Sequence, residues 1–162
     1  AGRESQSEHD RIVKYVAEFL KKRGFDNVRA DIDGFETPRK IIWSSTEEGY
    51  IPDVTAEKKG RKYLFEVKTE DSIYDKHTED QWRLFATYAK EHSAIFCVVV
   101  PEKARNTAIK RLTELKIKIY GLLHLTTPII SEGYLVPKTE LKSYPCQEDR
   151  KRTPLFNWFK RI

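Results

Sequence analysis

Asp53, Glu66 and Lys68 are the residues whose types and spacing could do chemistry. They fall in YIPDVTAEKKGRKYLFEVKTED, residues 50–71, which reads as two extended runs joined by a short basic turn. Side chains alternate along a strand, so Glu66 and Lys68 share one face while Phe65 and Val67 take the other. Turning the chain at Lys58-Lys59-Gly60-Arg61 brings Asp53 back beside Glu66. Two carboxylates held close repel unless one takes a proton or a cation sits between them. Magnesium suits such a place, because it binds a few carboxylate oxygens and completes its shell with waters and a phosphate. An adjacent ammonium can orient an attacking water and offset charge developing on the phosphate. Two acids, a lysine and a metal are therefore equipped for phosphodiester hydrolysis. The plainer alternative is an ordinary hairpin in which Glu66 and Lys68 pair only with each other.

These residues need a scaffold, and the apolar spacing supplies one. Ile12, Val13, Val16, Phe19 and Leu20 recur at helical spacing and predict a helix over Ser7–Arg23, opened by a Ser7/Asp10 capping box and stopped by Gly24. NVRADID predicts a first strand, and KIIW part of another, before the hairpin. A helix over Glu79–His92 would bury Trp82, Phe85, Tyr88 and Ala89, with Thr78 and Gln81 as its capping box. SAIFCVVVP is continuous enough for a strand at the centre of a sheet. A third helix follows over Lys103–Leu115, through Ala104, Ala108, Leu112 and Leu115, and KIKIYGLL predicts the last strand. Strand, helix, strand, helix, strand implies an α/β sandwich, with a mixed sheet because the early strands pair as a hairpin. Residues 1–125 make the expected core, and residues 126–162 an extension packed on that core or on a partner.

A chain of 162 residues with 39% hydrophobic and 34% charged residues fits one globular domain. No apolar run approaches the ~20 residues needed to span a bilayer, so no membrane role is expected. The first ten residues are polar and lack the apolar core of a secretory leader. Cys97 sits in an apolar strand and Cys146 in a polar tail, which suggests free thiols and a reducing, cytoplasmic setting. No CxxC pair exists and the four histidines are scattered, so a zinc site is not expected. The net charge of +5 is concentrated at the end: residues 138–162 hold seven basic and three acidic side chains. That surplus is compatible with phosphate-backbone binding.

Taken together, Pro52-Asp53 and Glu66-Val67-Lys68 in IPDVTA…LFEVK resemble the PD-(D/E)xK nuclease superfamily, the restriction-endonuclease-like fold. The pattern SEHDRIVKYVAEFLKKRGFDNVRA followed by PD and EVK looks nearest to archaeal Holliday junction resolvases and related small endonucleases. The resemblance covers about residues 7–125 and implies a three-layer core with helices on both sides of a mixed sheet. It further implies a magnesium-dependent DNA endonuclease, with manganese able to substitute and a homodimer if the activity is junction resolution. Asp53, Glu66 and the Val67 carbonyl would ligate the metal, and Lys68 would assist the water. Glu8 on the first helix is a further candidate ligand; macrodipole compensation would explain it equally. Gln81 opens the helix where several nuclease families carry a functional glutamine. Another outcome, a nucleic-acid-binding module that keeps the fold without catalysis, stays open at this point.

Basic residues outside the motif are the candidates for DNA contact: Lys58 and Lys59 at the turn, and Arg150, Lys151 and Arg152 in RKRTPLFNWFKRI. In that tail Leu155, Trp158, Phe159 and Ile162 share one helical face, which predicts docking on the protein's own body or on a second subunit.

Overall fold

The computed structural model describes residues 2–126, 129–131, 134–136 and 141–145, with side chains described through residue 126. The chain runs α1 (Arg3–Lys22), β1 (Asp26–Ala30), β2 (Ile41–Ile42), β3 (Gly49–Tyr50), β4 (Val54–Lys58), β5 (Arg61–Val67), α2 (Lys76–His92), β6 (Ile95–Pro101), α3 (Arg105–Leu115) and β7 (Gly121–Leu125). Three short strands follow: β8 (Ile129–Ser131), β9 (Tyr134–Val136) and β10 (Leu141–Pro145). The main sheet has the order β1-β4-β5-β6-β7-β10. β5, β6 and β7 are parallel, whereas β1, β4 and β5 pair antiparallel and β10 closes antiparallel on β7.

Alternation along the strands divides the core between two faces. Phe65, Val67, Cys97, Val99 and Leu123 pack under α1, whose Ile12, Val13, Val16, Ala17 and Leu20 are fully buried. Leu64, Phe96, Val98, Val100 and Leu122 pack on the other side, against Trp82 and Phe85 of α2 and Ala108 and Leu112 of α3. All seven residues of β6 are buried, as expected of a strand with a parallel neighbour on each side and helices over both faces. The result is a three-layer α/β arrangement. No helix among the described residues is long and apolar enough to cross a membrane.

The β4–β5 hairpin forms as its sequence predicts. Lys58 pairs with Arg61, so Lys59 and Gly60 make a two-residue loop, both with positive φ (52° and 75°). That is the requirement of the primed turn whose twist matches paired strands. The stop at Gly24 also holds: at φ 78° it lets the Phe25 N–H reach the Leu20 carbonyl and its own N–H reach Lys21, closing α1.

Three boundaries differ from the sequence reading. α1 begins at Arg3 rather than Ser7, so Ser7 and Asp10 lie inside the helix and form no capping box. The apolar stripe specifies the buried turns but leaves a polar first turn unmarked, and here Ser5 anchors that turn by donating to Asp71 Oδ2 at 2.8 Å. α2 begins at Lys76, and Thr78 donates to the Ser72 carbonyl (2.7 Å) instead of capping with Gln81. β7 starts at Gly121, not in KIKIY, because the Ile117 and Lys116 amides bond back to Leu112 and Thr113 and close α3. Backbone groups used in that cap are lost to the sheet. Phe19, Tyr88 and Leu115 are only partly buried at the rim of the two cores.

Candidate active site

The hairpin register sets Val54 opposite Phe65, which places Asp53 across from Glu66 at the carboxyl end of β5. In open α/β sheets this is the end where ligands gather. Asp53 (8% exposed), Glu66 (1%), Lys68 (8%) and Gln81 (8%) are all buried there. The Asp53 and Glu66 carboxyl groups stand within hydrogen-bonding reach of each other, an arrangement that needs a shared proton.

The two acids are driven apart in their titration. Burial and then the Asp53 charge beside it push the Glu66 pKa well above the ordinary range; Lys68 opposes this without reversing it, and Asp31 adds to it. Burial works against the Asp53 charge too, but hydrogen bonds from Glu66 and His9, the His9 charge and the Val67 amide outweigh it, so its pKa is lowered. Without a bound cation, then, Glu66 carries the proton and Asp53 the charge.

Backbone and side chains fix this arrangement together. The Val67 N–H donates to Asp53 Oδ2 at 2.8 Å, and the Lys68 N–H donates to the Val99 carbonyl of β6 at 2.9 Å. Along an extended strand a residue's N–H and C=O leave on the same side, so the Val67 carbonyl is directed toward the Asp53 side. Lys68 Nζ donates to Gln81 Oε1. Gln81 thus faces Lys68, released from the capping role its spacing suggested. His9 Nε2 lies 3.2 Å from the same Asp53 Oδ2, and His9 Nδ1 lies 3.1 Å from Asp10 Oδ1. Burial disfavours the imidazolium, yet these two acids outweigh it and raise its pKa.

A divalent cation fits the donors present. Glu66 Oε2 is buried and meets no hydrogen-bond partner among the described residues, and an orphaned carboxylate oxygen next to a second carboxylate is what such an ion requires. Among the described residues no three His, Cys, Asp or Glu side chains are placed to hold one metal ion together. The protein would therefore offer Asp53, Glu66 and the Val67 carbonyl, leaving places for waters and a phosphate oxygen.

Glu8 is not drawn into this group. It faces Lys103, which follows β6, with 3.7 Å between Glu8 Oε2 and Nζ. Its neighbour His9 takes the place beside Asp53, and the reason is helical phase. Val13, Val16 and Leu20 are buried and lie four, seven and eleven residues after His9, so the stripe projects back onto His9. Glu8 aligns with the half-covered Tyr15 and Phe19 flank. Lys58 and Lys59 sit at the hairpin turn, about 20 Å along β5 from Glu66, and Lys58 donates to the Arg23 carbonyl at 2.9 Å. Arg150, Lys151, Arg152 and the apolar tail stripe lie outside the described residues, as does Cys146; Cys97 is buried and forms no disulfide among the described residues.

Compared with known proteins, the chain matches no family model and no curated protein.

Proposed function

We propose that the protein is a magnesium-dependent DNA endonuclease of the PD-(D/E)xK type, with Asp53, Glu66 and Lys68 as its catalytic set. One observation carries the reading: two buried carboxyl groups, one of them with an orphaned oxygen, share a site with a buried lysine at the carboxyl end of a parallel strand. An acid pair placed there gains nothing for stability, since burying a second carboxyl beside the first is unfavourable unless a proton or cation compensates. The three-layer sheet and its helix order further support the restriction-endonuclease-like fold.

The chemistry is hydrolysis of a phosphodiester: a water oxygen bonds to phosphorus, the ester P–O bond breaks, and a proton passes from the water to solvent while the leaving oxygen gains one. When bound, the divalent cation would supply Lewis-acid stabilisation of the phosphate charge. Asp53 and Glu66 would hold it together with the Val67 carbonyl. Lys68, steadied by Gln81, orients the water and offsets negative charge as the phosphate becomes five-coordinate. His9 pairs with the Asp53 oxygen that also accepts the Val67 N–H and helps keep the carboxylate in one orientation.

Substrates separate the readings within this class. Duplex, nicked, flapped and four-way-junction DNA are each incubated with magnesium, with manganese and with EDTA. Cleavage with either metal is expected, none in EDTA and none by Glu66→Ala; preference for the junction, with a dimeric mass, would place the protein among resolvases. Undiminished cleavage by Glu66→Ala refutes the site. Binding of all substrates without cleavage of any would leave a non-catalytic nucleic-acid-binding module.

A further inference from the structure

A groove of about 650 Å³ runs along α2 and the segment that joins α3 to β7. Trp43, Arg83, Lys90, Lys116, Lys118 and Tyr120 stand on its walls, over an apolar floor that includes Phe96. Four of these are cations, and no Asp or Glu among the described residues lines the groove. Arg83 shares the nearby Glu79 at 3.5 Å, but Lys90 and Lys116 are exposed, so the groove's own lining is net positive, while Glu48 and Asp80 lie beyond its Trp43–Arg83 end. Lys116 adds a second, independent sign. It caps α3 at φ 55°, where glycine is the low-energy residue. A lysine held in that conformation places an ammonium on the groove wall despite the backbone strain.

We propose that this groove binds a single strand of nucleic acid, with phosphates against Lys90 and Lys116 and a base against the Trp43 ring. Charge selects a polyanion, and an aromatic on an otherwise cationic wall suits stacked bases rather than a carboxylate-rich peptide. From Arg83 to Lys90 the helix advances about 10 Å, about three phosphate steps at the ~3.4 Å rise per nucleotide of one stacked strand. The choice of nucleic acid over other polyanions rests on the phosphodiesterase reading. The groove itself is separate from the carboxylates, because Gln81 faces Lys68 while Arg83, two residues on, leaves the opposite side of α2.

The test uses the full chain in EDTA, where no cleavage occurs, with a labelled oligothymidylate of about twelve nucleotides. Fluorescence anisotropy across a salt series should show saturable binding. The double substitution Lys90→Gln/Lys116→Gln should weaken it on the order of tenfold at ~0.15 M salt and reduce the salt slope by about 1.4, the share of two phosphates on a single strand. Trp43→Ala should weaken binding while Trp43→Phe largely restores it, with circular dichroism verifying the fold of each variant. Unchanged affinity and slope in the double variant would overturn the proposal. So would displacement of the oligonucleotide by an equal charge of polyglutamate, which would assign the groove to an acidic protein. Because binding is read without metal, loss of the catalytic reading and loss of this one are told apart.

Discussion

Replacing Glu66 by glutamine should change how stability depends on pH, and the sign follows from the site. Glu66 has its pKa raised in the folded protein, by burial and by Asp53. Its folded form thus holds a proton that the unfolded chain releases near the ordinary value of about 4.3. Stability from this group is fully present below that pH and is lost as pH climbs toward the folded value, at about 1.4 kcal/mol per pH unit. For a chain of this length a kilocalorie shifts the melting temperature by roughly 2–4 °C, so a fall of about 3–5 °C per pH unit is expected as pH first climbs above the ordinary carboxylate range, below the range in which His9 titrates. Asp53, whose pKa is lowered, contributes stability that is lost only as pH falls through the acid range, below this window. His9, whose pKa is raised, contributes stability that begins to disappear above about pH 6.5. The interval therefore isolates Glu66. Thermal melts in EDTA should show the slope in the wild type and a nearly flat line in Glu66→Gln. Saturating magnesium should reverse the slope in the wild type alone, since a cation that binds the folded state displaces the proton; at a hundred times its dissociation constant it adds about 2.7 kcal/mol. Identical slopes in the two proteins would refute the assignment of the proton to Glu66.

Three further outcomes are expected. Lys68→Ala should lower kcat by roughly 10²–10³-fold and Gln81→Ala by about 10–100-fold, with circular dichroism verifying that each variant folds; single-turnover cleavage assays check both. Lys116→Gly should raise thermal stability by about 1 kcal/mol through relief of the left-handed conformation, while weakening oligonucleotide binding, so melting and anisotropy move in opposite directions. Phe65→Ala, which empties a fully buried site under α1, should cost about 3–5 kcal/mol, read by urea denaturation.

The parts of this fold that could be seen in the amino-acid order are those written in local chemistry. The apolar run of β6 and the Lys59-Gly60 turn carry their own instructions, and the turn in turn sets Asp53 opposite Glu66. What escaped depends on competition between distant groups. Gln81 looked like half of a capping box until the Ser72 carbonyl took Thr78, leaving the amide for Lys68. Residues 116–120 alternate like a strand, but the α3 cap takes the Lys116 and Ile117 amides, and it is the Tyr120 N–H that donates to the Phe96 carbonyl of β6. Glu8 draws attention because a carboxylate is the expected metal ligand, with the adjacent His9 only a possible phosphate contact, yet the buried stripe of α1 points to His9, which is the residue beside Asp53. The antiparallel pairing of Leu141–Pro145 with β7 depends on an exposed sheet edge, which no short-range pattern announces.

Asp53 is anchored to a main-chain N–H, that of Val67, and this gives the protein a built-in reporter. Hydrogen-bonded amide protons shift with the charge on their acceptor, so the Val67 resonance should register ion capture, deprotonation and substrate arrival without any label at the reacting groups. The side chain at position 67 can be exchanged for another β-branched residue while that signal persists; only proline, which has no amide proton, would silence it and release the aspartate together.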